Sequence, residues 1–214
     1  MLYKTLVCSI LIFILSVSVF GIAKIDREIL FDHAKYKYML EKNPDDPWSH
    51  FDMAITYAYM GKVEEGLKEL GEVERLDKEF APKAIEKFTN AVTKDPNDWK
   101  ARFRLAFAYY FDEQKAPALI ELEKVTEKEP INGKNAWAYG YMAIIYGEEE
   151  QWDEAIDACK KALKIEPDAA AIHLAYAQAL LKKGNTLHAA SEAFIAFRLQ
   201  AEEKKYERKN KIRY

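Results

Sequence analysis

The sequence AWAYGYMAIIYGEEEQWDEAIDACKKALKIEP, residues 136–167, decides the fold of this chain. Its apolar side chains recur every three or four residues on both sides of the polar stretch 147–151, which is typical of two short amphipathic helices joined by a turn. We expect the first helix over 136–146 and the second over 153–165. Pro167 ends the unit because proline cannot continue a helix.

The same arrangement of small and large apolar residues occurs four times in the chain, which indicates an array of helix pairs. The small residue of each first helix is followed twelve residues later by the small residue of the second helix, where the two helices must come close. In chain order these pairs are Ala54 and Gly66, Ala106 and Ala118, Ala143 and Ala155, and Ala177 and Ala189. The units lie 52, 37 and 34 residues apart, and Ala84, Phe88 and Ala91 predict one extra helix in the longest interval.

These residues resemble the tetratricopeptide repeat. The third unit resembles it best, through Trp137, Tyr139, Ala143, Tyr146, Ala155, Ala162 and Pro167. The resemblance covers residues 31–201 and implies an all-α fold, a right-handed superhelix of stacked antiparallel helix pairs with about four units plus the extra helix. It also implies that the first helices line the concave inner surface of the superhelix.

Residues 6–23 are apolar and uncharged and follow Lys4, which is typical of a segment for export. A cleaved signal peptide, an uncleaved membrane anchor of about 27 Å and a buried helix all fit this segment. The first two alternatives predict a protein of the periplasm or cell surface. We therefore divide the chain into a signal or anchor at 1–23, a repeat domain at 24–209 and a tail at 210–214.

Composition and residue supply disfavour several classes of function. The net charge is only −3 with both signs mixed, which disfavours nucleic acid as a partner. Beyond residue 23 the only serines are Ser49 and Ser191. The one cysteine there, Cys159, falls on the inward face of a predicted second helix, where a thiol is inert.

The supply of ligands for a metal or cofactor is also poor. No two histidines are spaced three or four residues apart on one helix, and there is no glycine-rich phosphate loop. The acidic residues 148–150 and Asp153 fit solvated charge at a turn better than a cation site. We predict a protein that is not an enzyme and that has no metal site and no cofactor.

A second apolar stripe on three first helices predicts where this protein binds. Its members are Phe51, Ile55 and Tyr59 on the first, Phe103, Phe107, Tyr110 and Phe111 on the second, and Trp137, Tyr141 and Ile144 on the third. Lys100 and Arg104 border the second stripe and could meet a partner's carboxylate. Exposed aromatic surface of this size is typical of peptide or helix recognition, so we predict that these residues bind a partner. Packing between repeats is the competing interpretation and stays open.

The predicted function is an extracytoplasmic protein–protein interaction scaffold that binds an apolar peptide or helix in an aromatic concave groove. The alternative is a small-ligand or lipid-binding component of a transport system that uses the same groove; a purely structural spacer is a third interpretation. Self-association is a further expectation for such arrays. We expect residues 24–42 to cap the first repeat rather than lie in the groove. Residues 201–214 fit a solvated closing helix better than a contact with anionic lipid or an acidic partner.

Overall fold

A computed structural model describes residues 27–127 and 133–210. Within these ranges the chain forms ten α-helices and no strand. They are α1 (Arg27–Lys42), α2 (Pro47–Tyr59), α3 (Val63–Leu76), α4 (Phe80–Lys94), α5 (Trp99–Phe111), α6 (Lys115–Thr126), α7 (Gly133–Glu148), α8 (Trp152–Ile165), α9 (Ala170–Lys182) and α10 (Thr186–Asn210). The predicted all-α class is confirmed.

Eight of these helices form four antiparallel pairs that stack in chain order. The pairs are α2 with α3, α5 with α6, α7 with α8, and α9 with α10; the last three pack on each other in chain order, and α2 of the first pair contacts α5 of the second. Helix α4 is the extra helix that the spacing predicts, and α1 packs on α2 from the amino-terminal side. The predicted superhelix of stacked pairs is confirmed.

Local side-chain chemistry sets the start of several helices. The carboxylate of Asp46 accepts hydrogen bonds from the backbone N–H groups of Trp48 and Ser49, and Pro47 occupies the first turn, where no N–H partner is needed. Asp98 caps α5 in the same way by accepting from the Ala101 N–H. Each cap satisfies donors that the helix cannot pair internally.

The turn inside each pair has one backbone conformation in all four units. A residue with positive φ stands at the same place in each turn: Gly61 (φ 69°), Glu113 (56°), Glu150 (57°) and Gly184 (78°). The N–H of the next residue then donates to the carbonyl five positions back at 2.8–2.9 Å. Two of the four units therefore hold a glutamate in the left-handed region, where residues with a Cβ are strained.

Small residues allow the two helices of a pair to come close, as the sequence pattern predicts. A Cβ at Gly66 would lie 3.3 Å from the carbonyl oxygen of Ala54, which is a tight contact, so glycine eases the approach of the two helices in the first pair. Ala118 is completely buried at the matching position. Cys159 is also completely buried, and this burial raises the pKa of its thiol to about 12.

The superhelix brings the first unit against later ones. Gly61 lies so close to Trp137 of the third unit that a Cβ there would be 2.6 Å from the ring. Beside it, Lys62 Nζ lies 3.8 Å from Glu203 Oε1 in α10. The inner side of the array is therefore narrow, which decides the environment of the aromatic stripe.

The membrane and export predictions concern residues that the structure does not describe. Residues 6–23, predicted as a signal or an anchor, lie outside the described ranges, as do residues 211–214. None of the helices within 27–127 and 133–210 combines the length and the apolar character that a membrane span needs. The division at residues 23 and 209 stays a prediction.

Candidate functional site

The aromatic stripes of three first helices pack against each other. The rings of Tyr59 and Phe103 stack with centroids 4.3 Å apart, and Phe103 stacks on Phe107 at 5.0 Å. Tyr141 meets Phe107 edge-on at 4.7 Å. These distances are those of stable aromatic pairs, so the rings of α2, α5 and α7 form one continuous cluster.

The extra helix α4 covers the other end of the first stripe. Phe51 lies 5.1 Å from Phe80 and 6.0 Å from Phe88, measured between ring centroids. Trp48 lies 4.6 Å from the same Phe80. Helix α4 thus fills the space beside α2.

The structure corrects the prediction of an open aromatic groove. Five of the predicted binding residues are buried: Phe51, Ile55, Tyr59, Phe103 and Phe107 are 0%, 1%, 8%, 0% and 6% exposed. The physical reason is that first helices of successive units converge on the narrow inner side, and their apolar stripes cover each other. At these positions the packing interpretation is right, and a peptide or small ligand cannot reach them in this conformation.

The remaining aromatic candidates are half-buried. Tyr110 donates its hydroxyl proton to Glu148 at 2.5 Å, and burial together with this carboxylate raises its pKa. Burial also raises the pKa of Tyr141. Phe111 and Trp137 pack at the margin of the core. The binding role of these four residues stays a prediction.

The two predicted basic residues are engaged within the chain. Lys100 Nζ lies 2.7 Å from Asp32 Oδ2 and 2.9 Å from Glu28 Oε1, both on α1. Burial opposes its charge, but the two carboxylates outweigh burial and raise the pKa of Lys100. The carboxylates that Lys100 contacts therefore belong to α1 of the same chain, and the prediction that it meets a partner's carboxylate stays a prediction.

Arg104 is held by two helices. Its Nε lies 2.5 Å from Asp52 Oδ1 on α2, and its Nη2 donates to the Tyr36 hydroxyl of α1 at 3.1 Å. Burial disfavours its charge, but Asp52 and Tyr36 more than compensate and raise its pKa. Helix α1 caps the first repeat, as expected, and its polar residues also reach α5.

The acidic turn between α7 and α8 contributes to packing between units. Glu148 and Glu149 pair with Lys115 at 3.3 and 2.9 Å. Because α6 carries Lys115, these ion pairs join the second unit to the third. Nowhere in the described ranges do three His, Cys, Asp or Glu side chains cluster as a metal ion would require.

A repeated polar contact inside three units was not found from the sequence. His50 Nδ1 lies 2.5 Å from Glu69 Oε2, and its Nε2 donates to the Pro44 carbonyl at 2.8 Å. His173 makes the same two contacts, with Glu192 at 2.6 Å and the Pro167 carbonyl at 2.8 Å. We call this arrangement the helix-pair latch, because it ties the first helix to the second and to the preceding turn.

In the second unit the latch is built by an arginine. Arg102 Nη1 lies 2.5 Å from Glu121 Oε2, and Nη2 donates to the Pro96 carbonyl at 2.9 Å. The partners lie 19 residues after and 6 residues before in all three units. That spacing is the sequence signal for the latch. The third unit carries Tyr139 at the matching position.

Comparisons with known proteins agree with the repeat fold. The tetratricopeptide repeat model matches residues 136–169, which contain the stretch that decides the fold. The predicted resemblance to this family is confirmed. No curated protein sequence matches the chain at the required significance.

Several solved structures have a similar arrangement of helices. A crystal structure of MamA is 20% identical with a TM-score of 0.48, and the match covers 81% of this chain and 90% of that one. Residues 41 to the end of MamA from Desulfovibrio magneticus RS-1 are 21% identical with a TM-score of 0.45, covering 79% and 84%. Pseudomonas aeruginosa PilF is 11% identical with a TM-score of 0.46, covering 76% and 65%. These similarities are remote.

Proposed function

We propose that this chain, whose residues 136–169 form a tetratricopeptide repeat, is an extracytoplasmic interaction scaffold that binds an apolar helix of a partner protein along α2 and α5. Stacked helix pairs offer extended surfaces for other chains and are commonly used for binding. Residues 6–23 would bring the chain to the periplasm or cell surface, as a signal or an anchor. Binding alone would be its activity, with no catalysed reaction.

The observation that supports this proposal is the way α1 sits on the array. Ile29, His33 and Tyr36 lie on one face of α1 and are 5%, 7% and 6% exposed. Their i, i+4, i+7 spacing is the anchor pattern of helices that bind in grooves. The His33 ring also meets Tyr57 of α2 edge-on at 5.4 Å. The docking of α1 therefore supports an amphipathic helix as the ligand of this surface.

The charges on α1 complete the description of the ligand. Glu28 and Asp32 are one turn apart and both reach Lys100, whose side chain is 25% exposed. A partner helix that replaces α1 would need carboxylates at these two positions beside its apolar anchors. This chemistry refines the predicted ligand from an apolar helix to an apolar helix with acidic residues along one edge.

A charge-swap series in the full chain tests the proposal. E28K/D32K sets two lysines against Lys100, so we expect α1 to detach, seen as faster hydrogen exchange over residues 27–42. A synthetic peptide of residues 27–42, labelled with a fluorophore, should then bind this variant and not the wild type. Adding K100E restores opposite charges, so α1 should dock again and exclude the peptide.

A matched peptide provides the control. I29A/Y36A in the peptide removes both apolar anchors and should abolish binding to the E28K/D32K chain. The same variant should capture more protein than the wild type from periplasmic and membrane extracts, measured by quantitative mass spectrometry. If α1 is detached and neither the peptide nor any protein binds more than to the wild type, the surface is not a helix-binding site.

A further inference from the structure

The last helix, α10, is longer than the other second helices and presents two different sides. It has 25 residues, whereas α3, α6 and α8 have 12 to 14. Ala189, Ala196 and Leu199 are buried on its inner side, and Glu203 on the same side lies near Lys62. These contacts fix the rotation of the helix, so that the opposite side faces outward.

The outward side of α10 is apolar where the other units are not. Leu187, Phe194 and Phe197 are 87%, 68% and 70% exposed. The positions that match Leu187 and Phe194 are exposed in every earlier unit. The residues that match Leu187 are Glu64, Ala116 and Asp153, and those that match Phe194 are Gly71, Glu123 and Lys160. Stacking of repeats therefore does not explain the apolar residues at these two positions.

Basic residues surround this apolar surface. At about 100° per residue, Lys204, Lys205 and Arg208 all fall within about 80° of Phe194 around the helix axis. Glu202 lies at the edge of this sector, and Glu203 lies on the opposite side. Phe197, Lys204, Lys205 and Arg208 also line one shallow depression.

We propose that the outward side of α10, defined by Leu187, Phe194, Phe197, Lys204, Lys205 and Arg208, binds the surface of an anionic lipid bilayer. A helix with an apolar strip bordered by Lys and Arg lies in the interface between lipid headgroups and acyl chains. Its cations are attracted by the negative surface potential of anionic lipids. The strip runs along the last helix of the array, and its exposed side chains can be reached by a flat bilayer without a complementary groove.

Fluorescence of a probe on α10 tests this proposal in the full chain. S191C, combined with C8S, places an environment-sensitive nitrobenzoxadiazole label beside Phe194, while Cys159 is buried and stays unlabelled. With vesicles of phosphatidylcholine containing about 30% phosphatidylglycerol we expect a several-fold rise in emission. Pure phosphatidylcholine should give none, and about 0.5 M salt should weaken the rise because it screens the charges. The readout is local to α10, so insertion of residues 6–23 does not imitate it.

Matched variants separate the two contributions. F194E/F197E should abolish the rise without unfolding the chain, since both rings are exposed. K204Q/K205Q/R208Q should lower vesicle affinity on the order of a hundredfold, because each cation contributes about a factor of five. A label at D157C on α8 should not respond.

Three results would overturn the proposal. One is the absence of any rise with anionic vesicles, and another is an equal rise with neutral vesicles. The third is a rise with an acidic helical peptide but not with vesicles, which would assign the surface to an acidic protein.

Discussion

The substitution E121A should destabilise the second unit strongly because it leaves a buried cation with one weak partner. Arg102 is 7% exposed, and Glu121 provides the carboxylate at 2.5 Å from its guanidinium. After the substitution only the Pro96 carbonyl, at 2.9 Å, would remain. Among the described residues no other contact supplies an acceptor to Arg102, so its positive charge would be poorly compensated.

The expected cost follows from the geometry of this pair. Removing one partner of a buried ion pair costs about 3–5 kcal/mol, and the remaining carbonyl contact favours the lower end, about 3 kcal/mol. For a domain of this size that corresponds to a decrease in Tm of roughly 6–12 °C. R102A should cost less, about 1–2 kcal/mol. Glu121 keeps its ion pair with Lys124 at 2.7 Å, so the substitution mainly removes the packing of the arginine side chain.

The internal repeats provide a matched control at the same position. His50 and His173 reach the same two kinds of acceptor in the first and fourth units. R102H should therefore retain the latch and lower the free energy of unfolding by less than about 1 kcal/mol, the contribution of a typical hydrogen bond.

Urea denaturation followed by circular dichroism at 222 nm measures these differences, with the slope of the transition required to stay unchanged. The expected order of destabilisation is E121A first, R102A second and R102H last. If R102H is as destabilising as R102A, the three latches are not equivalent. If E121A costs no more than R102A, the buried cation is not the source of the energy.

Three further predictions concern the turns and the thiol. G61A should lower the free energy of unfolding by more than about 2 kcal/mol, whereas G184A should lower it by only about 1 kcal/mol. Both glycines have positive φ, but only at Gly61 would a Cβ lie 2.6 Å from Trp137. Equal costs in urea denaturation would contradict the contact with the ring. E150G should raise the free energy of unfolding by about 0.5–1 kcal/mol by relieving the left-handed conformation at φ 57°; a lower denaturation midpoint would contradict this. Cys159 should not react with a thiol reagent at pH 8 until the chain unfolds. Because its pKa is raised to about 12 in the folded chain, its contribution to stability should be complete below about pH 9 and disappear as the pH rises toward 12; C159A should lack this part of the pH dependence.

The fold could be predicted because its determinants are local and repeated. Ala54, Ala106, Ala143 and Ala177 recur with constant offsets to the second helices, and this fixes both helix pairing and stacking. Ala84 and Phe88 similarly predict the extra helix, which the structure gives as Phe80–Lys94. These patterns do not depend on how closely the first helices of successive units converge on the inner side of the superhelix.

The burial of the aromatic stripe could not be predicted, because it depends on how closely the first helices converge. The sequence places Phe103 and Phe107 on one face of a helix, but only the convergence of α2, α5 and α7 decides that the face is covered. The pairing of Lys100 with α1 likewise joins residues 68 positions apart. Repeat periodicity carries no information on such contacts.

The short connection between α1 and α2 has a consequence for any partner. Only residues 43–46 link the two helices, so α1 is held next to its docking surface at an effective concentration of about millimolar. A partner helix would have to displace the tethered α1 in every molecule. If α1 is docked in about 99% of molecules, the apparent affinity of a partner is about a hundredfold weaker than its intrinsic affinity. If the proposed function is correct, α1 would set a threshold that excludes weak ligands and admits only those that bind the surface better than α1 does.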